Sequence, residues 1–357
     1  MIGGIVSQDR RADERLDPRL RRLLLAMPAP EAVEVRDRDE LIREAASPSG
    51  LERERLFREV LDACDTEEVA PSSGLRFDDV AIESQPDGNV IRLQIVRPDS
   101  NDTVAAVYYI HGGGMANLSS YYGNYRAWAR IVAGYGVAVA LVEFRNAVSP
   151  GAVADVAPYP AGLNDCLSGL LWLRANADRF DIDPLRIVIA GESGGGNLVL
   201  ASGMALKRRG ELSVTSGLYA LCPYIAGRWP DPRYPSSVMN NGIFLNLHGN
   251  AGAISYGVEA FDAGDPLAWP GFATVADVAE LPPTVISVNE CDPLRDEGVA
   301  FYRLLLRAGV AARGREVLGT MHATELAIVA CPDITHDTAR DLAAFAQSSA
   351  GRRTTSG

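Results

Sequence analysis

Hydrophobic and polar positions change their spacing along the chain, and the changes predict its elements. Over residues 1–70 charge dominates, and the apolar positions recur at helical spacing. They do so across 18–27 and 51–63, where Leu56, Val60 and Ala63 fall on one face. Ser72, Ser73 and Gly74 punctuate a boundary, after which short apolar runs predict strands at 78–83 and 89–96. The run 104–110 is apolar throughout, as expected of a strand covered on both faces. Beyond it the periods alternate. Helical patterns at 121–135, 161–177, 197–209, 296–308 and 335–348 are interleaved with strand-like runs at 137–144, 186–190, 217–222, 284–289 and 315–318. This alternation predicts an α/β fold, a mostly parallel sheet flanked by helices. One stretch, 228–270, breaks the rhythm with Pro, Gly, Asn and six aromatic residues, and reads as an insertion over the carboxyl edge of the sheet. The expected organisation is an N-terminal helical segment, 1–70, a main α/β domain, 71–347, carrying that insertion, and a disordered tail, 348–357.

Composition narrows the function classes. The 357 residues, 47% of them apolar, suffice for a sizeable core. A net charge of −12 gives no attraction for phosphate backbones, which argues against nucleic acid as a partner. The five cysteines, Cys64, Cys166, Cys222, Cys291 and Cys331, form no C-x-x-C pair, so neither a zinc site nor a disulfide framework is expected. The N-terminus lacks the apolar core of a signal peptide, and no run reaches the ~18 apolar residues of a membrane span. Reduced thiols in a cytoplasmic protein are the expectation.

The chemistry concentrates in glycine-rich junctions. GESGG, residues 191–195, matches G-x-S-x-G between an apolar run and a helical pattern. That context makes Ser193 a candidate nucleophile on a strained bend, where near-absent side chains at −2 and +2 avoid collision. HGGG, residues 111–114, directly follows the run 104–110. Glycines there let backbone amides converge on an oxyanion, with Gly112, Gly113, Gly114 and Gly194 as candidate donors. The base must follow the serine, with an acid between them. Of four histidines, His111 precedes the serine, His248 falls in the insertion and His336 in the closing helical pattern, which leaves His322. Glu290, Asp292, Asp296 and Glu297 compete as the acid. Asp292 is favoured because it leaves the run 284–289, and Asp296 reads as a helix N-cap. Met115, Tyr121, Tyr122, Tyr125 and Tyr224 lie near these motifs and are candidate pocket residues, although packing explains such residues equally well.

Together, HGGG, GESGG, DPLRDEG (292–298), APYPAGLNDC (157–166), DPLAWPGF (265–272) and the late His322 resemble the hormone-sensitive-lipase-type carboxylesterases, family IV of the α/β-hydrolases. The resemblance spans about 75–345. It implies an eight-stranded sheet with a helical cap, here from the N-terminal segment and 228–270. It also implies a serine carboxylesterase acting on short-to-medium acyl esters with Ser193, Asp292 and His322 as triad, and no metal or organic cofactor. Relatives often pair through the last strand and helix, so a homodimer stays open. The sequence departs from the family pattern in Glu192-Ser193-Gly194, where many relatives carry Asp-Ser-Ala, in Ala323 after the histidine, and in FRNAV at 144–148. Amide, lactone or carbamate hydrolysis uses the same oxyanion chemistry and remains the alternative, as does a non-catalytic ligand-binding protein.

Overall fold

In a computed structural model, which describes residues 9–349, one eight-stranded sheet organises the chain. Its strands are β1 (Leu75–Glu83), β2 (Val90–Pro98), β3 (Val104–Ile110), β4 (Ala138–Glu143), β5 (Ile182–Glu192), β6 (Gly217–Leu221), β7 (Thr284–Asn289) and β8 (Ala312–Val317). They lie in the order β1-β2-β4-β3-β5-β6-β7-β8. β2 runs antiparallel to both its neighbours, and every other pairing is parallel. The helices are α1 (Pro18–Ala26), α2 (Arg38–Ala45), α3 (Pro48–Asp62), α4 (Gly123–Ala133), α5 (Ala161–Ala175), α6 (Gly194–Arg209), α7 (Ser236–Met239), α8 (Ala251–Tyr256), α9 (Val258–Asp262), α10 (Val275–Val278), α11 (Arg295–Arg307) and α12 (Pro332–Ser348).

Strand alternation sorts the core into two layers. On one face Ala106, Tyr108, Ile110, Ile187 and Ile189 pack with residues of α5, α6 and α11. On the other, Val107, Tyr109, Val188 and Ala190 pack with Trp128 of α4 and Leu342 of α12. The central strands β3 and β5 are covered on both faces, which is why they read as continuous apolar runs.

Local chemistry fixes the N-terminal helices. Asp17 caps α1 by accepting from the Arg19 amide, with Pro18 at the first position. Leu20 and Leu24 of α1 bury against Ile243, Cys291 and Met321, so this helix lies beside the sheet's carboxyl edge. α2 falls within the segment expected to be helical, although its bounds were not read from the sequence. It is a short, charged segment capped by Asp37, with only Leu41, Ile42 and Ala45 turned to the core.

Other boundaries also differ. β5 begins four residues before the expected run and β8 three before. In β8 the residues ARGREV alternate between half-buried and exposed, the mark of an edge strand rather than a buried one. The stretch 228–270, whose sequence shows no clear period, contains three short helices, α7 to α9. Asp296 is not the N-cap of α11; Leu294 is. The Asp296 carboxylate instead accepts from the Ser236 amide at 2.7 Å and ties α11 to the insertion. α12 extends through Ser348, where the tail was expected to begin, and residues 350–357 lie outside the described part. No helix among the described residues is long and apolar enough to cross a membrane.

Candidate active site

The carboxyl ends of β3, β5, β7 and β8 converge, and each delivers one element of the site. β5 passes into α6 with Ser193 alone between them. Its φ of 58° and ψ of −117° are costly for a residue with a Cβ, so the surroundings must hold it there. The Ser193 amide donates to Leu221 O at 2.9 Å, and its carbonyl accepts from the Tyr224 amide at 3.0 Å.

The flanking glycines are required by contact. A Cβ on Gly191 would lie 2.5 Å from Ile110 O, and one on Gly195 only 2.0 Å from the same oxygen. Neither can yield, because both neighbours are backbone. Gly195→Ala is therefore expected to cost at least ~3 kcal/mol, the upper range of overpacking, measured as a loss of denaturation midpoint. A stability within 1 kcal/mol of the parent would show that the elbow can relax.

The loop after β3 rests on this bend. His111 is fully buried and stacks on Phe144, with ring centroids 4.3 Å apart. Burial lowers its pKa against the pull of Glu143, so it props the loop as a neutral ring. Gly112 does not point a free amide into the site, contrary to expectation. Its N–H donates to Glu192 Oε1 at 2.6 Å. The amides of Gly113, Gly114 and Gly194 donate to no group among the described residues. They are close together: a Cβ on Gly194 would lie 2.7 Å from the Gly114 nitrogen.

Asp292 and His322 leave β7 and β8. Asp292 Oδ2 pairs with His322 Nδ1 at 2.7 Å, while Oδ1 accepts from the Leu294 amide at 2.8 Å. Both residues are buried. Burial works against the charged ring, but Asp292 and, behind it, Cys222 favour it, and the net effect holds the imidazole pKa well above 6.5. No hydrogen bond joins His322 to Ser193 among the described residues. Cys222, the residue after Leu221, whose carbonyl receives the Ser193 amide, brings its sulfur within 4.8 Å of the His322 and Asp292 side chains. Catalytic hydrogen bonds of this kind commonly tighten only when substrate is bound.

Cys222, Asp292 and His322 offer ligand atoms within 4.8 Å of one another, a set that zinc could use. Two ligands of a tetrahedral zinc stand about 3.3 Å apart for bonds of ~2.0 Å. The 2.7 Å contact between Asp292 and His322 is too short for that and fits an acid orienting a base. Burial pushes the Cys222 thiol up to about 11, so it is no thiolate at neutral pH.

Of the candidate pocket residues, two stay at the site. Met115, at φ 59°, has its amide against Gly194, and the Tyr224 ring faces Gly114 and stacks on Trp229 at 4.4 Å. Tyr122 and Tyr125 do not line it. Tyr122 is buried with its hydroxyl on Glu54, and Tyr125 is buried with its hydroxyl on Glu192 at 2.7 Å. Tyr121 donates to Asp79 at the far edge of the sheet. His248 bonds Ser237 O and His336 bonds the Tyr135 hydroxyl, and neither pairs with Ser193 or Asp292 among the described residues.

Sequence reasoning missed four contributors. Phe244 lies over the His322 ring at 6.4 Å, and Asn240 donates to the carbonyls of Glu290 and Asp292. Both come from the insertion, where no period marks them. Cys222 had a signal, since it directly follows the strand beside the elbow. Glu192 had one too, as the residue before the candidate nucleophile.

This arrangement of strained serine, free amides and a histidine–aspartate pair at one sheet edge is that of the nucleophile-elbow hydrolases. Residues 107–326 match the family described as alpha/beta hydrolase fold. The chain belongs to that family, in the branch homologous to hormone-sensitive lipase. It is 56% identical to esterase Est22, whose structure superposes with a TM-score of 0.92 over 95% of this chain and 99% of that one. Brefeldin A esterase, a bacterial homologue of human hormone-sensitive lipase, is 33% identical with a TM-score of 0.83 over 95% of each chain. The carboxylesterase NlhH of Mycobacterium tuberculosis is 29% identical over 253 residues, 70% of this chain and 75% of that protein.

Proposed function

We propose that this carboxylic ester hydrolase cleaves short-to-medium acyl esters through an acyl-enzyme on Ser193. The observation that carries the assignment of roles is the 2.7 Å Asp292–His322 pair at the same sheet edge as the strained Ser193. His322 Nε2 takes the Ser193 proton as Oγ attacks the acyl carbonyl. The oxyanion is received by the amides of Gly113, Gly114 and Gly194, which have no other acceptor among the described residues. His322 then protonates the departing alcohol, and afterwards activates the water that frees the acid.

The cap in this reading is the N-terminal segment together with 228–270. Val35 and Asn250 exchange two hydrogen bonds, Arg15 donates to Asn240, and Leu20 packs with Ile243. Phe244 stands over the His322 ring and the Tyr224 ring faces Gly114, and side chains this near the site favour short acyl chains. The five buried, unpaired cysteines fit a cytoplasmic location, and the open edge of β8 is where a homodimer would form.

The test is hydrolysis of p-nitrophenyl esters from acetate to palmitate, alongside labelling with a fluorophosphonate. Turnover peaking at or below about eight acyl carbons, with one label on the Ser193 peptide, is the expected result. No turnover on any chain and no label would remove the esterase reading.

A further inference from the structure

We propose that Glu192 is the positioning residue of the oxyanion hole, fastening the loop 111–114 to the nucleophile elbow so that the Gly113 and Gly114 amides face the developing oxyanion. The inference rests on the serine-esterase reading above and adds to it a residue outside the triad.

Glu192 is the last residue of β5, immediately before Ser193, and is 3% exposed. Its carboxylate is gripped from three sides. Oε1 accepts from the Gly112 amide at 2.6 Å and from the Tyr125 hydroxyl of α4 at 2.7 Å. Oε2 accepts from the Tyr109 hydroxyl of β3 at 2.7 Å. A buried carboxylate is retained only when its lone pairs are filled in this way. The contact with the loop is close: a Cβ on Gly112 would sit 2.4 Å from Oε1.

The loop needs such an anchor. Gly113, Gly114 and Met115 have φ values of 90°, 63° and 59°, a left-handed run of the kind that turns successive amides towards an anion. With the Gly112 amide drawn to one side by Glu192, the next two amides are left for the site. The carboxylate itself does not touch substrate. It acts by fixing where those donors stand.

Burial pushes the Glu192 carboxyl up to about 7 against the donors that favour its ionised form. The same donors make glutamine a fair replacement. Its Oε1 would still accept from the Gly112 amide and the Tyr125 hydroxyl, and its amide would face the Tyr109 oxygen.

The experiment compares Glu192→Ala and Glu192→Gln with the parent on p-nitrophenyl acetate, and measures inhibition by a trifluoromethyl ketone, whose serine-bound hemiketal oxyanion mimics the transition state. Misplacing oxyanion donors costs ~10²–10³ in rate for each one lost. The alanine variant should lose about 10²-fold in kcat with KM within threefold, and its ketone affinity should fall by a similar factor. The glutamine variant should recover to within about tenfold of the parent on both readouts. A kcat within threefold of the parent for Glu192→Ala, or a kcat loss without loss of ketone affinity, would overturn the assignment. If the alanine variant does not fold, Tyr125→Phe removes one of the three grips. A kcat loss of about threefold to tenfold, matched by ketone affinity, then supports the proposal, and no change in either overturns it. A parent enzyme inactive on every ester would instead defeat the esterase reading, whereas an active parent with an equally active alanine variant defeats the Glu192 assignment alone.

Discussion

Alanine at Ser193 or at His322 is expected to cut kcat for p-nitrophenyl acetate by about 10⁶-fold, and the double replacement should lose no more than either single one. In the proposed mechanism the two act as a unit. Without His322, the Ser193 hydroxyl has no base to take its proton. Burial pushes the neighbouring Cys222 thiol up to about 11, so it is protonated and cannot serve as one. Without Ser193, His322 has no nucleophile to activate and can only assist water. The residual rate in each case comes from the amides of Gly113, Gly114 and Gly194, which neither replacement touches. That residue should amount to ~10³–10⁴ over the uncatalysed reaction. Steady-state assays on protein purified apart from any active enzyme give the measurement. Losses that multiply in the double variant would mean that the two side chains serve separate steps, and a Ser193→Ala enzyme retaining a tenth of the parent rate would move the nucleophile elsewhere.

The parts of this site that could be read from sequence are those whose chemistry depends on neighbours in the chain. Ser193 is announced by the glycines at 191 and 195, because the bend that exposes it forces two backbone contacts with Ile110 O. The strand β3 was expected at the bounds it adopts, since an apolar run covered on both faces leaves no ambiguity of period. The boundaries slip where burial is one-sided. β8 was expected at 315–318 because its polar half carries no hydrophobic signal, although its backbone pairs with β7 from Ala312 onward. Roles that depend on contacts distant in sequence were harder to read. Gly112 looks like an oxyanion donor from its motif, but a carboxylate eighty residues away claims its amide. Tyr122 and Tyr125 are near the loop in sequence, and their hydroxyls are spent on Glu54 and Glu192. Asp296 resembles a cap by residue type, yet it lies two residues past the cap Leu294, where it holds Ser236. In each case the competing partner is on another element, and no local pattern names it.

Asp292→Asn is expected to lower the plateau of kcat/KM by about 10⁴-fold and to move its rising limb to lower pH. Two effects of one carboxylate combine here. The Asp292 Oδ2 contact holds a proton on His322 Nδ1, which leaves Nε2 free as the base. Asparagine can present its NH₂ to that nitrogen and favour the wrong tautomer, which removes the base without disturbing the fold. The second effect is electrostatic. Burial disfavours the imidazolium, and Asp292 is the largest influence raising the ring pKa above 6.5. Only the neutral imidazole accepts the Ser193 proton, so activity of the parent should climb with pH through an apparent pKa above 6.5. With the carboxylate gone, desolvation prevails, the ring gives up its proton more readily, and the limb should appear at lower pH even as the plateau collapses. Glu325, a buried carboxyl close by, accepts from the Asn289 amide and makes no hydrogen bond to the ring, so it does not hold the His322 tautomer in place of Asp292. Full pH profiles of parent and variant separate the two effects. A plateau loss with an unmoved limb would assign Asp292 to orientation alone, and a limb that moved upward would mean that some other group sets the charge on His322.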